Sequence, residues 1–287
     1  MAWLIQSQPD PIETAIVDRR TFMLALAAGS AGALSGCAPL SSPAGNTPAP
    51  VELSSPPYPR IQPSTPNLPV IQGGPPSHIT HLDGSGKNLA LTIDDGVSAE
   101  VVSAYIDFAL ATGVRFTFCV TGCYQSWTQH KDKLRPLVDS GQIQLANHTW
   151  NHRDLTRCSG NTIKSELTRC ERLLNTTFGV TGKPFLRPPY GARNRFVDGV
   201  AADLGYTSMT LWYGSFGDSG SISETVLLDE ARKWIRPQAV LLGHANHPTV
   251  THLYGQIVDI IRSRNLQTVT LDDAWYGAKG RDRTVRG

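Results

Sequence analysis

Charge is scarce in this chain, and what there is nearly cancels. Only 17% of the 287 residues are Asp, Glu, Lys or Arg, and 26 basic against 24 acidic side chains leave a net charge of +2. A balance so near zero does not suggest a nucleic-acid binder, which usually shows a concentrated basic face. Long apolar runs are also lacking: none reaches the ~20 residues of a bilayer-spanning helix. Cysteine is sparse, with 5 in all. What is present, 40% hydrophobic residues, suffices for a sizeable core and rules out wholesale disorder. The length suits one large domain or two small ones.

Near the start, Arg19 and Arg20 precede Thr21-Phe22-Met23-Leu24 and a mostly apolar, small-residue run to Leu34. Paired charge before a short apolar segment is the layout of a secretory signal. Its Arg-Arg-x-Phe-x-Leu arrangement resembles a twin-arginine export signal. The run ends Leu34-Ser35-Gly36-Cys37, which resembles a bacterial lipoprotein cleavage site, with the Cys37 thiol carrying the lipid. Residues 1–36 are therefore expected to be a signal and 37–85 a tether. Residues 38–76 hold twelve of the chain's 20 prolines. Proline fixes φ and lacks the N–H donor, so such a stretch extends rather than folds. The expected location is extracytoplasmic, tethered to a membrane, with more than one acyl group because a single chain anchors only marginally.

Beyond Cys37, the cysteines are Cys119, Cys123, Cys158 and Cys170. An even number in an oxidising compartment favours two disulfides, with Cys158–Cys170 the preferred bridge because it closes a short loop. A zinc site at Cys119-x-x-x-Cys123 is the competing expectation.

From Lys87 the pattern is a strand-then-helix rhythm. The expected strands are 89–93, 114–120, 142–146, 184–186, 206–211, 239–242 and 267–271. The expected helices are 98–112, 129–140, 162–178, 194–204, 223–235 and 250–264. Ser98 is a good N-cap, and Val101, Val102, Tyr105, Ile106, Ala109 and Leu110 recur at helical spacing before Gly113. Tyr105, Phe116, Phe118 and Phe178 stand at core positions. Alternating units with continuous apolar strands predict a parallel sheet covered by helices. About seven strands suit a small barrel or an open doubly wound sheet, and the polar residues choose between these.

Those residues cluster where strands end. Asp94-Asp95-Gly96 follows Ile93, Asn147-His148-Thr149-Trp150-Asn151-His152 follows Ala146, and Arg187-Pro188-Pro189-Tyr190-Gly191 follows Leu186. Trp212 follows Leu211, and His244 follows Leu242-Gly243. In a parallel barrel all C-terminal strand ends lie on one face, which hosts the active site. Two imidazoles at i and i+4 would lie one above the other on a helical turn and could grip one cation. A third ligand from another strand would leave coordination positions open, the mark of a catalytic metal. Adjacent Asp94 and Asp95 point in different directions, so one can bind the metal while the other faces the reacting water.

Thr92-Ile93-Asp94-Asp95-Gly96 is similar to the Thr-Phe-Asp-Asp-Gly motif of the polysaccharide deacetylases, the NodB-homology domain. His148-Thr149-Trp150-Asn151-His152 resembles that family's His-Ser/Thr-x-x-His motif. Arg187-Pro188-Pro189-Tyr190-Gly191 resembles its third motif, and Leu242-Gly243-His244 its Leu-x-His motif. The four occur in family order across residues 86–277, leaving 278–287 as a tail.

The resemblance implies an α/β fold, a distorted (β/α) barrel, and removal of acetyl groups from an N-acetylated glycan such as peptidoglycan or a chitin-like polymer. It implies a divalent metal, usually Zn2+, on Asp95, His148 and His152. It further implies Asp94 as general base, His244 as general acid, Arg187 as the ion-pair partner of Asp94, and the Tyr190 backbone N–H facing the oxyanion. The metal would polarise the carbonyl and lower the pKa of water towards about 7, and an imidazole titrates in the range suited to protonating the departing nitrogen. One motif departs from the family's Asp-then-Trp arrangement: here it is Leu211-Trp212-Tyr213-Gly214-Ser215-Phe216-Gly217-Asp218. Asp218 is the candidate support for His244, with Trp212 or Phe216 as wall of the substrate pocket. His78, His81, His130 and His252 have no constellation around them, and His247 has no assigned role. No nucleic-acid partner is expected, and a monomer is the expected state.

Overall fold

The computed structural model describes residues 73–277 together with Ile61, Leu68 and Ile71. The signal over 1–36, Cys37, most of the tether and the tail over 278–287 lie outside the described residues. Among the described residues nine strands make one sheet: β1 (His78–Ile79), β2 (Asn88–Asp95), β3 (Phe116–Val120), β4 (Ile143–Asn147), β5 (Phe185–Leu186), β6 (Ser208–Thr210), β7 (Gly214–Ser215), β8 (Val240–His244) and β9 (Gln267–Val269). Their order is β1-β6-β5-β4-β3-β2-β8-β7, with β9 on β2, and all of these pairings are parallel. Helices cover the sheet: α1 (Ala99–Thr112), α2 (Ser126–Gln129), α3 (Lys131–Asp139), α4 (Gly160–Leu173), α5 (Arg195–Asp203), α6 (Glu224–Trp234), α7 (Tyr254–Ser263) and α8 (Leu271–Tyr276). The result is the expected distorted (β/α) barrel.

All seven expected strands form. Their residues are apolar without alternation because both faces are covered: β2 is buried from Leu89 through Asp95. The two additional strands, β1 and β7, have two residues each, too few for any periodicity. β1 lies in the stretch expected to be tether, yet His78 pairs with Met209 and Ile79 with Thr210. The sheet thus begins before residue 85, where the tether was expected to end. The segment 250–264 is not one helix. A 3-10 turn over Pro248–His252 precedes α7. The last strand, expected to reach Leu271, ends at Val269, because Thr270 and Asp273 close a capping box and turn the chain into α8.

Local signals elsewhere hold. Ser98 accepts from the Val101 N–H, and Gly113 ends α1 at φ 78°. Tyr105, Phe116, Phe118 and Phe178 are buried, and Phe116, Phe118 and Trp127 meet edge to face at 4.9–5.0 Å. Leu110, placed on the buried face by spacing, is 46% exposed on the outer side of α1.

The expected disulfides are absent: Cys119, Cys123, Cys158 and Cys170 are free thiols. Cys170 faces the sheet from α4 with its Sγ 3.2 Å from the Val120 carbonyl, whereas Cys158 Sγ turns to the Asp154 carbonyl at 3.3 Å. Loop length predicted a bridge between two side chains that the fold aims at different partners. Nor do Cys119 and Cys123 make a zinc site, since Cys119 is buried in β3 and Cys123 is exposed.

Candidate active site

Strand register brings the polar residues to one rim. Asp94 stands beside Cys119 on β3 and beside His244 on β8, and Asp95 beside Val120. Val120 in turn pairs with Asn147, and Asn147 with Leu186. His148 and Arg187 are therefore the first residues past neighbouring strand ends, level with the Asp-Asp pair. Every parallel strand contributes its last residue to the same edge.

Asp95, His148 and His152 converge, with one donor atom from each all within 4.8 Å of one another. Asp95 Oδ1 lies 3.5 Å from His148 Nε2 and 3.4 Å from His152 Nε2. His148 Nδ1 lies 2.7 Å from the Arg187 carbonyl. A carbonyl only accepts, so Nδ1 carries the proton and the Nε2 lone pair is left for a cation. Burial pushes the Asp95 carboxyl up, but the two neighbouring imidazoles and the Asn246 amide hold it well below the usual carboxylate range. Burial, with His148 alongside, lowers the His152 pKa and favours its neutral, ligating form. One anionic oxygen and two neutral nitrogens at this spacing are a donor set that fits zinc or a similar divalent cation.

The histidine loop is not the helical turn its i, i+4 spacing suggested. Thr149 and His152 sit at φ 70° and 54°. Neighbouring polar groups hold this loop instead. The buried Glu166 carboxylate accepts from the Trp150 N–H at 3.0 Å, the Asn151 N–H at 2.6 Å and the Asn151 side chain at 3.0 Å. Asn147 Oδ1 accepts from the Thr149 N–H, and Thr149 Oγ1 accepts from the His152 N–H. The two rings meet edge on, 4.8 Å between centroids. Asp95 and Tyr190 are likewise at positive φ, 73° and 62°. Gly96 follows Asp95 at φ 96°, and a Cβ there would stand 2.2 Å from the Trp127 ring, so the turn out of β2 admits only glycine.

Arg187 is fully buried and its Nη1 donates to both oxygens of Asp94, at 2.8 and 2.9 Å. Its Nη2 donates to Thr92 Oγ1 at 2.8 Å and its Nε to the Thr210 carbonyl at 2.5 Å. The guanidinium is thereby immobilised between β2 and β6. Asp94 Oδ2 is 3.5 Å from His148 Nε2, so the clamped carboxylate borders the metal triad. Across the strand pair, His244 Nδ1 lies 2.9 Å from Asp218 Oδ1, and the His244 N–H donates to Asp218 Oδ2 at 3.1 Å. Burial lowers the His244 pKa, but the Asp218 hydrogen bond and the nearby Asp94, Asp218 and Asp95 charges raise it overall.

The remaining expected residues sort by contact. Trp212 lies under Gly191, where a Cβ would stand 2.9 Å from its ring, and 5.4 Å from Arg187 Cζ. Phe216 is no pocket wall: it is 2% exposed and packs on Gly243 inside the core. The Tyr190 ring is 69% exposed and stands 4.6 Å from the His152 ring. Trp150 packs on Gly122 beneath the Arg169 guanidinium. His247 pairs with Ser221 at 3.3 Å, and His252 with Glu224 at 2.9 Å. Asn246, Glu166 and Thr121 escape sequence reasoning, since each reaches the site from a distant stretch of the chain: Glu166 15 residues from Asn151, Thr121 26 from Asp95 and Asn246 151 from Asp95.

Residues 81–209 match a family model described as polysaccharide deacetylase. The peptidoglycan-N-acetylglucosamine deacetylase of Listeria monocytogenes is 26% identical over 198 residues, which are 68% of this chain and 40% of that protein. The chain thus spans less than half the length of that relative. PdaA of Bacillus subtilis, a family 4 carbohydrate esterase, superposes with a TM-score of 0.62 at 20% identity, covering 74% of this chain and 96% of that one. A Bacillus anthracis protein described as a CE4 family pseudoenzyme also gives 0.62, at 18% identity over 70% of each chain. At these identities the solved structures speak for the fold alone. The matched segment, however, carries Asp94, Asp95, His148, His152 and Arg187 in register on one rim, and this segment is similar to the polysaccharide deacetylases.

Proposed function

We propose that this protein is a hydrolase that removes N-acetyl groups from a cell-envelope glycan such as peptidoglycan or a chitin-like polymer, with a divalent cation, most simply zinc, at Asp95, His148 and His152. The convergence of those three donors within 4.8 Å carries the proposal. A cation held there supplies Lewis-acid polarisation of the acetyl carbonyl and acidifies water. The rest of the work falls to the chain itself. Asp94, held by Arg187, accepts a proton from the attacking water. The turn at Pro189–Gly191 holds Tyr190 at positive φ with its ring 4.6 Å from that of His152, and the Tyr190 N–H is the donor assigned to developing oxyanion charge. His244 has Nδ1 engaged by Asp218, so Nε2 is the nitrogen that hands a proton to the departing amine. Release of acetate and free amine from N-acetylglucosamine oligomers and from peptidoglycan tests the proposal. Activity should vanish with chelator and return with added zinc, and turnover unaffected by chelator would defeat the metal-dependent reading.

The direction of the His244 shift sets a pH dependence. A raised pKa keeps the acid protonated beyond the range of a free imidazole, and activity falls as pH climbs through the raised value. Its contribution to folding follows the same sign: present below the unfolded pKa, lost as pH rises through the folded one. Asp218→Asn removes the hydrogen-bonded charge that raises it. The alkaline limb of kcat should then move to lower pH, and kcat should fall by at most about 10²–10⁴-fold, the range for general acid catalysis. A limb that stays in place would assign it to another group.

Export and lipidation of Cys37 complete the proposal, supported by the Leu34-Ser35-Gly36-Cys37 sequence and the proline-rich stretch behind it. Cys37→Ser should move the protein from the membrane to the soluble fraction, and unchanged fractionation would refute the anchor.

A further inference from the structure

We infer that Asn246 is a positioning residue that confines Asp95 to binding the cation through one oxygen, an inference that rests on the metal-dependent reading above. Asn246 Nδ2 donates to Asp95 Oδ2 at 2.7 Å. Asp95 Oδ1 faces the other way, towards His148 Nε2 at 3.5 Å and His152 Nε2 at 3.4 Å, with the Thr121 hydroxyl at 3.4 Å. The two oxygens are thus divided between an amide and the imidazole pair. The Asp95 side chain is only 10% exposed, so little water competes for Oδ2, and a charge-assisted bond in that setting is worth more than its surface equivalent.

The amide cannot turn over. Its Oδ1 accepts from the Val97 N–H at 3.3 Å. Flipping it would set N–H against N–H there and oxygen against carboxylate at Asp95. Its backbone is pinned as well: the Ala245 N–H donates to the Asp94 carbonyl and the Ser98 N–H to the Ala245 carbonyl. The segment after β8 therefore holds the ligand presented by β2. A carboxylate held by one oxygen leaves free the coordination position its second oxygen would fill, and a hydrolytic site needs that position.

Cobalt(II) alone is the probe, because its visible absorption weakens as coordination number rises. The wild-type protein, Asn246→Ala and the volume-matched Asn246→Leu would be loaded and titrated against a chelator, with melting of each metal-free protein as the check on folding. Should the alanine variant fail to fold, the leucine variant decides. Both should show a weaker visible band and bind cobalt about 10–100-fold less tightly, the usual cost of losing an outer partner of a metal ligand. A folded variant with the wild-type spectrum overturns the inference whatever its affinity. Wild-type protein that binds no cobalt would instead sink the metal-dependent reading itself, so the two failures are distinguishable.

Discussion

Asp95→Ala is expected to give a folded protein that neither retains the divalent cation nor turns over substrate. The carboxylate is the one anionic donor in the triad and the atom towards which both imidazoles are aimed. Without it two neutral nitrogens remain, fewer than the three protein ligands a catalytic zinc takes. Outer partners of a ligand typically cost 10–100-fold in metal affinity, so loss of the ligand itself should exceed about 100-fold. The substitution also strands the Asn246 amide and the Thr121 hydroxyl, but Asn246 is only half buried and water can reach it. Metal stoichiometry after dialysis and acetate release should fall together. A variant that keeps stoichiometric metal would show that the cation sits elsewhere.

Asp94→Asn should separate what Asp95→Ala abolishes together. The amide keeps the shape of the carboxylate but cannot take a proton at neutral pH. Metal content should stay within a few-fold of wild type while kcat drops by about 10²–10⁴-fold, the contribution of a positioned base. Stability should drop too. Arg187 is fully buried, and its charge would then face a neutral oxygen, a change whose ceiling is the roughly 3–5 kcal/mol seen when a buried pair loses one partner. Turnover must therefore be read well below the variant's melting temperature. Activity near the wild-type level in a folded variant would remove Asp94 from the base role.

The parts of this molecule that could be read in advance are the contiguous ones. β2, β3, β4 and β8 announce themselves as apolar runs because a parallel strand covered on both faces has no polar side to display. The Asp-Asp, His-x-x-x-His, Arg and Leu-x-His clusters are legible because each strand end delivers its chemistry within a few residues. Contacts made at a distance were not legible. Glu166 holds the histidine loop from 15 residues downstream, and Asn246 reaches Asp95 across 151. Nothing beside either residue distinguishes it from any surface Glu or Asn. The cysteines failed for a related reason. Loop length says how close two thiols can come, whereas the buried face of α4 decides where Cys170 points. The i, i+4 histidines suggested a helix because spacing was the only information available, and the polar groups that impose a different backbone come from other elements.

Among the described residues, four of the six non-glycine positions in left-handed backbone, Asp95, Thr149, His152 and Tyr190, cluster at the rim. Such conformations cost of order 1–3 kcal/mol each and persist only where surroundings enforce them. Glycine at Thr149 would ease that local cost and slacken the hold on His152. Directed evolution ranked by thermal endurance alone would therefore drift towards a sturdier barrel with a blunted catalyst, and any programme to toughen this protein must screen turnover alongside heat resistance.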